Sequence, residues 1–336
     1  MSSVWRWLFG TGGAAEVVAE PVREEPKVVE RVPGIGDRLG ERYRLDSLIA
    51  RGGGGMGYRG RDLHLDMDVA VKVIEHDEES GVEGEMKAEA AAAMRLSHPH
   101  IARTFHWQRF ARCEALIMEY VAGPNLHRIA TERPGGRLKV DDAVGVIIDV
   151  LDALDHAHRA GVIHNDIKPR NLLIAPGDVV KVCDFGIARR REVSIQRQAR
   201  WIVGTVAFMA PERIRHEDGT VQSDLYSVAA TLYNLVEGKP PFGVGAEEAF
   251  EGHLNLPVPV STRMSAELMR VVERAMAKAA QDRPRSAMEM AFELRRLGFE
   301  SKVLASRRRF EPEEDSYGDG DWLRVEGSAE VPVPEP

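Results

Sequence analysis

The sequence predicts an α+β chain folded as two lobes. Two observations carry that reading. Strand-like runs crowd the early part of the patterned region and helical periodicities fill the later part, the order expected of segregated sheet and helix layers. The patterned region, from about residue 40 to residue 297, is flanked on both sides by stretches with no sustained period.

Taken in order, residues 43–50 read as a strand that leads into a glycine run. Residues 68–74 hold a short apolar run with one lysine inside it, bounded by charge. Residues 85–96 are alanine-rich and composed of good helix formers, and residues 115–120 return to strand character. Beyond Gly123-Pro124 the period changes. Val144, Ile147, Val150, Leu151 and Leu154 recur at helical spacing, with Gly161 as a stop signal. A second amphipathic helix is expected over 224–236, ended by Gly238 and Pro240-Pro241, and a third over 268–279. Residues 1–38, rich in Glu, Val, Pro and Gly, are expected to form a disordered arm. Residues 299–336, in which Arg307, Arg308 and Arg309 precede Glu311, Glu313, Glu314 and Asp315, are expected to form a disordered acidic, proline-containing tail. A docking or autoinhibitory use of that tail, anchored by Trp322 and Leu323, is the sharper alternative.

Composition narrows the function classes. A chain of 336 residues with 43% hydrophobic residues can bury a large core. Its net charge of −8 gives no general reason to expect nucleic-acid binding, which needs clustered Lys and Arg. Cys113 and Cys183, the two cysteines, form neither a disulfide framework nor a zinc-spaced set, and they fit packed thiols in a reducing, cytoplasmic setting. No window of about 18 apolar residues exists, so stable membrane insertion is not expected. The run Val4-Trp5-Arg6-Trp7-Leu8-Phe9 is too short for a signal-peptide core, although it can serve as a small aromatic anchor.

Three stretches carry chemistry. In the first, Ile49 precedes Gly52, Gly53, Gly54, Gly55 and Gly57, and glycines let backbone N–H groups approach a polyphosphate. No Gly-Lys-Ser/Thr ending closes this run, so it is not a Walker loop. Lys72 lies on the next strand among Val69, Ala70, Val71, Val73 and Ile74. An ammonium buried there needs an anion, either a phosphate or a carboxylate such as Glu89. A lysine that snorkels to the surface is the competing reading of the strand alone. In the second stretch, His164-Asn165-Asp166-Ile167-Lys168-Pro169-Arg170-Asn171, a carboxylate, an ammonium and an amide share one tight loop. These groups can accept a hydroxyl proton, neutralise phosphoryl charge and ligate a hard metal. The third stretch, Asp184-Phe185-Gly186, offers a metal-binding carboxylate at a strand end.

As an ordered set, these stretches resemble the signature of the protein kinases, and their wording is most similar to the bacterial (Hanks-type) serine/threonine kinases. Gly204-Thr205, Ala210-Pro211-Glu212, Ser223-Asp224-Leu225-Tyr226-Ser227 and Asp282-Arg283-Pro284 fall in the family's order downstream. The resemblance implies a two-lobed kinase domain over 39–298, with a small antiparallel-sheet lobe (39–121) holding one main helix and a larger, mainly helical lobe (122–298). It implies ATP and Mg²⁺ (or Mn²⁺) as cofactors and protein hydroxyls as acceptors. Lys72, fixed by Glu89, would hold the phosphates. Asp166 would orient and deprotonate the acceptor, and Lys168 would stabilise the transferred group. Asn171 and Asp184 would hold the metal. Ala70 and Leu173 would sandwich adenine, Met118 would be the gatekeeper, and Glu119 to Val121 the hinge. Arg283 would pair with Glu212, and Lys168 with Thr205 would favour Ser/Thr acceptors. A catalytically silent member of the family, used as a scaffold, is the alternative function. A small-molecule kinase is disfavoured by the peptide-positioning stretch around Ala210-Pro211-Glu212.

Several positions depart from the pattern. Ala50 takes the first glycine site of the loop, and Gly57 replaces the valine that would cover adenine, which predicts weakened ATP affinity. Asn165 replaces the arginine that would clamp a phosphorylated activation segment. In residues 187–203 the single hydroxyl is Ser194, set among Arg189, Arg190, Arg191, Arg197 and Arg200. That pattern suits either a phosphate clamp or a basic surface that selects acidic substrates. Input from a regulatory partner through either terminal segment is expected.

Overall fold

The computed structural model describes residues 32–52, 55–75, 85–110, 112–185 and 206–301. Their first part is a six-stranded antiparallel sheet of order β1-β2-β3-β4-β6-β5. The strands are β1 (Arg38–Leu39), β2 (Tyr43–Gly52), β3 (Gly55–Asp62), β4 (Met67–Glu75), β5 (Thr104–Arg109) and β6 (Cys113–Glu119). β4 lies between β3 and β6, and Val69 to Val73 are all buried, which is why its sequence is a continuous apolar run instead of an alternation. β5 is an edge strand of mixed exposure without a period of two. The sequence therefore held no strand signal for it.

One helix, α1 (Glu85–Ala93), accompanies this sheet, and its Ala90 packs with Ala70, Leu116 and Met118. It stops short of the predicted end at residue 96, because residues 94–96 close in turns onto Ala90, Ala92 and Ala93. The boundary expected at 38/39 divides β1. Ahead of it, Val32 packs on the small-lobe core and the Pro33 carbonyl accepts a 3.1 Å hydrogen bond from the Tyr58 hydroxyl.

The second part is mainly helical. It runs through α2 (Leu126–Thr131), α3 (Val140–Arg159), the hairpin of β7 (Leu172–Ala175) and β8 (Val179–Val182), α4 (Pro211–Ile214) and α5 (Val221–Glu237). It ends with α6 (Ala246–Asn255), α7 (Ala266–Ala275) and α8 (Ala287–Arg296). α3 and α5 form the centre of the large core, with Val144, Ile147, Ile148, Leu151 and Leu154 of α3 fully buried. Asp141 and Asp142 in the first turn of α3, and His156, His158 and Arg159 in its last, complement the helix dipole. α5 starts at a capping box between Thr220 and Ser223 and stops at Gly238, whose φ of 78° suits glycine. α7 ends at Ala275, four residues before the predicted limit.

Two joints link the lobes. Ile101 bridges to Val182, while the Ala102 N–H donates to the Val182 carbonyl. Glu119, at the end of β6, accepts from Lys181 Nζ at 2.9 Å and from the Arg103 N–H at 3.0 Å, tying the connecting strand to β8. A Cβ on Gly123 would lie 1.8 Å from the Ile174 carbonyl oxygen, so the chain leaving β6 can pass this close to β7 only as glycine.

Candidate active site

The cleft between the lobes is lined from above by Ile49, Ala70 and Met118, along its back by Glu119 and Val121, and from below by Leu173 and Asp184. Its empty space, open to solvent, is about 910 Å³, room for a nucleotide-sized ligand. Ala70 packs in a small-lobe cluster, and Leu173 in a second cluster that joins Ala102 and Val121 to Cys183 across the two lobes. All seven lining residues named first were expected at the site from the sequence. Tyr120, within the expected hinge, lines the cleft too, as do Ser47, Leu48, Arg59 and Arg128, which carried no motif that could have marked them.

Lys72 is 4% exposed in mid-strand, and its Nζ lies 3.1 Å from Asp184 Oδ1. The anion that this buried ammonium requires therefore comes from the large lobe. The helix position expected to supply a partner, Glu89, lies on α1, but its side chain is outside the described residues. The snorkelling reading is excluded, because Lys72 points into the protein. Asp184 itself has a φ of 66°, a left-handed conformation that aspartate tolerates better than most residues.

In the loop His164–Asn171, the Lys168 ammonium and the Asn171 amide nitrogen both bond to the Asp166 carboxylate. Lys168 Nζ donates to both oxygens of Asp166, at 3.0 and 2.9 Å. Asn171 Nδ2 donates to the Asp166 carbonyl at 2.7 Å and to Asp166 Oδ2 at 3.1 Å, so the amide oxygen is the atom left for a cation. The Asn171 carbonyl accepts the Cys183 N–H at 3.0 Å, which sets Asp184 one residue from a direct bond to this loop.

The loop is held from beneath by residues whose roles the motifs did not announce. Asp224, 1% exposed on α5, accepts from the His164 and Asn165 N–H groups at 2.8 Å each, and His158 Nε2 lies 2.8 Å from its Oδ2. His164 Nδ1 accepts the Asp166 N–H at 3.1 Å, so its Nε2 carries the proton and donates to the Cys183 carbonyl at 2.9 Å. One neutral imidazole thus ties the segment bearing Asp166 to the segment bearing Asp184. Asn165 has a φ of 66°, and a Cβ on Gly219 would come within 1.6 Å of its Oδ1. Asparagine suits the left-handed turn, and glycine makes room for it. Asn165 Oδ1 is buried without a partner among the described residues.

Both thiols are buried, and burial pushes Cys113 up to about 11 and Cys183 well above its ordinary value, so neither is a nucleophile at neutral pH. Beyond the cleft, Arg283 donates to both carboxylate oxygens of Glu212 at 2.7 and 2.8 Å, the pairing that the sequence resemblance implied. Burial favours the neutral acid at Glu212, but bonds from Arg283 and Ser223 outweigh it and lower the pKa. Gly53, Gly54, Gly186, Ser194, Gly204 and Thr205 lie outside the described residues. Among the described residues, no helix is long and apolar enough to cross a membrane.

Comparison with known proteins agrees with this geometry. A family model described as a protein kinase domain matches residues 43–293. The serine/threonine-protein kinase pkn3 of Myxococcus xanthus is 35% identical over 294 residues, covering 82% of this chain and 53% of that protein. The serine/threonine-protein kinase PknB of Mycobacterium tuberculosis is 35% identical over 274 residues, covering 77% and 43%. A probable PknB of Lactococcus lactis is 33% identical over 249 residues, covering 73% and 39%. The chain therefore spans about half the length, or less, of these relatives.

Proposed function

This chain belongs to the protein kinase domain family, and from that premise we propose that it is a serine/threonine protein kinase, transferring the γ-phosphate of ATP to hydroxyls of protein substrates and of itself. The observation that carries the reading is convergence: Lys72 of the small lobe meets Asp184 of the large lobe at 3.1 Å, beside the loop in which Asn171 and Lys168 both bond to Asp166.

The donor set suits a hard cation. Asp184 and Asn171 supply a carboxylate and an amide oxygen, two ligands for an ion that keeps water and phosphate oxygens for the rest of its shell, as Mg²⁺ does. When bound, the metal supplies charge neutralisation on the phosphates. Among the described residues no group of three or more His, Cys, Asp or Glu gathers to hold a metal without a substrate. Lys72 is placed to move from Asp184 onto phosphate oxygens when a nucleotide fills the cleft, with Glu89 as its small-lobe partner. The glycine run, Gly52 to Gly55, would cover those phosphates. Asp166 orients the acceptor hydroxyl and takes its proton, and Lys168 screens charge on the group in transit. Ala70 and Leu173 hold the base, Met118 limits the back of the pocket, and Glu119 to Val121 offer backbone groups to its edge.

The kinase domain would occupy 39–298. Protein substrates, a cytoplasmic setting, Mn²⁺ as a substitute ion and a partner reached through a terminal segment belong to the same proposal. The test compares wild type with Asp166→Ala, using Mg-ATP and a generic protein substrate. Transfer by wild type that the variant loses supports the reading. Nucleotide binding without transfer would make the chain a scaffold instead.

A further inference from the structure

We propose that His98, His100 and His156 form a proton-operated latch at the joint between the lobes, in which a proton taken up by His98 releases the joint and slows phosphoryl transfer. The latch is read from contacts outside the cleft, and it rests on the kinase reading above for its output alone.

His98 and His100 lie in the turn that precedes the Ile101 bridge to Val182, and His156 meets them from α3. The ring of His98 stands 5.6 Å from that of His100 and 5.3 Å from that of His156, centre to centre. Their bonds place the protons. The Val180 carbonyl can only accept, so His100 Nδ1, 2.9 Å away, donates to it. The His100 N–H donates to His98 Nδ1 at 3.2 Å, so that nitrogen is bare and the proton of the neutral ring sits on Nε2. An imidazolium carries hydrogen on both nitrogens. A proton on His98 therefore deletes this bond and sets two donors face to face. The turn it loosens holds the joint. The His98 carbonyl accepts the Ile101 N–H at 3.1 Å, the His100 carbonyl accepts the Val182 N–H at 2.9 Å, and the Ala102 N–H returns a bond of 2.9 Å to Val182. Two residues past Val182 stands Asp184, whose carboxylate meets Lys72. A slack turn at 98–101 thus lets the strand that leads to Asp184 part from the small lobe.

Charges around the three rings set the direction. His100 comes from the same turn, His156, Asp149 and Asp152 from α3, Lys181 from β8, and Arg295 from α8. Of these, the two aspartates favour a cation. Asp152 is already engaged by Arg295 at 2.8 and 3.1 Å. Asp149 Oδ1 lies 3.9 Å from His100 Nε2, so it favours charge on His100, the neighbour that repels charge on His98. Lys181, held by Glu119 at 2.9 Å, repels it as well. Burial first, then His100 and His156, keep His98 below its ordinary 6.5 against the pull of Asp152. Because the folded value is depressed, the neutral, latched form is fully present above pH 6.5 and is lost as pH falls through the folded value. The joint is closed at neutral pH and opens in acid.

The experiment takes the full chain with Mg-ATP and a generic protein substrate, and compares wild type with His98→Asn and His98→Lys between about pH 7.5 and about pH 5.5. Asparagine offers an amide oxygen where the imidazole offers Nδ1 and takes up no proton, whereas lysine offers charge and no acceptor. Ratios taken at one pH cancel the titrations that all three proteins share, those of Asp166 and of the nucleotide included. At about pH 7.5, His98→Asn should match wild type and His98→Lys should fall below both. At about pH 5.5, His98→Asn should exceed wild type roughly five-fold. At that acid pH the Ala102 and Val182 amides should exchange hydrogen faster in wild type than in His98→Asn. The histidine ring resonance that His98→Asn lacks should titrate below 6.5. An acid decline equal in wild type and His98→Asn, equal amide exchange in the two, or a ring that titrates at or above 6.5 would overturn the proposal and leave the kinase reading standing. Transfer by none of the proteins at any pH would overturn the kinase reading, while amide exchange and the ring titration would still decide the latch.

Discussion

The glycine hairpin above the cleft and the loop His164–Asn171 below it face the same space, but different forces hold them. In the hairpin, Gly52 pairs with Gly55, Arg51 with Met56 and Ala50 with Gly57, and Gly57 pairs in turn with Lys72. Backbone ladder bonds supply the order there, and few side chains add to it. In the lower loop, Asp166, Lys168 and Asn171 bond to one another, while Asp224, His158 and His164 hold the backbone from beneath. Repeated mutual bonding over-determines the geometry of the lower loop, whereas the hairpin can adjust to what it covers. The contrast suits the work proposed for each: positioning reacting groups demands sub-ångström repetition, and covering phosphates demands closure and release.

The largest effect should come from the rigid side. Asp166→Ala is expected to lower the transfer rate by ~10³-fold or more with little change in nucleotide affinity, read by single-turnover kinetics beside a binding titration. A comparable drop in affinity would mean that Asp166 acts through the nucleotide and not the acceptor.

Next in size is the support beneath the loop. Asp224→Ala leaves two backbone N–H groups and His158 without their acceptor and should cost about 3–5 kcal/mol of stability, measured by urea unfolding. A loss below 1 kcal/mol would show that the loop does not depend on this carboxylate.

A third test separates lobe stability from the site. Burial lowers the pKa of His253 from its ordinary 6.5 to about 4; the backbone of Ala207 opposes this and Lys278 adds to it. Tyr226 bonds its Nδ1 at 2.8 Å, and Phe242 meets its ring edge-on. Because the folded value is depressed, the unfolded chain takes up the proton first. Stability is full above pH 6.5 and falls by about 3 kcal/mol as pH drops to 4. In His253→Gln, that part of the slope should vanish from unfolding curves collected between pH 7 and 4. A slope equal to that of wild type would assign the acid sensitivity elsewhere.

The smallest effect belongs to the adjustable side. Gly57→Val restores an apolar contact worth ~1–2 kcal/mol if fully buried, so ATP should bind up to ~30-fold tighter by calorimetry. No gain would mean that Gly57 does not face the base.

Much of the site was legible before any coordinates, because its chemistry demands residue types at short spacings: an Asp, Lys and Asn within six positions, a lysine inside an apolar strand, an Asp at a strand end. The helices α3 and α5 were legible as well, since each carries apolar residues at helical spacing with a glycine after its end, but their nearly continuous burial was not. β5, α2, α6 and α8 were not read: β5 has no period of two, and the helices are short, although Ala287, Met290, Ala291 and Leu294 of α8 do fall at helical spacing.

The amino-acid order by itself determined the α+β class, the two-lobed division and the identities of the groups at the cleft, since those follow from local patterns of polarity and chemistry. Only the tertiary structure decided that Lys72 meets Asp184, that Asp224 supports the loop, which tautomer His164 adopts and that Gly219 must make room for Asn165. Each of these joins residues distant in sequence, and no local propensity encodes a distance between segments that meet only when both lobes have packed.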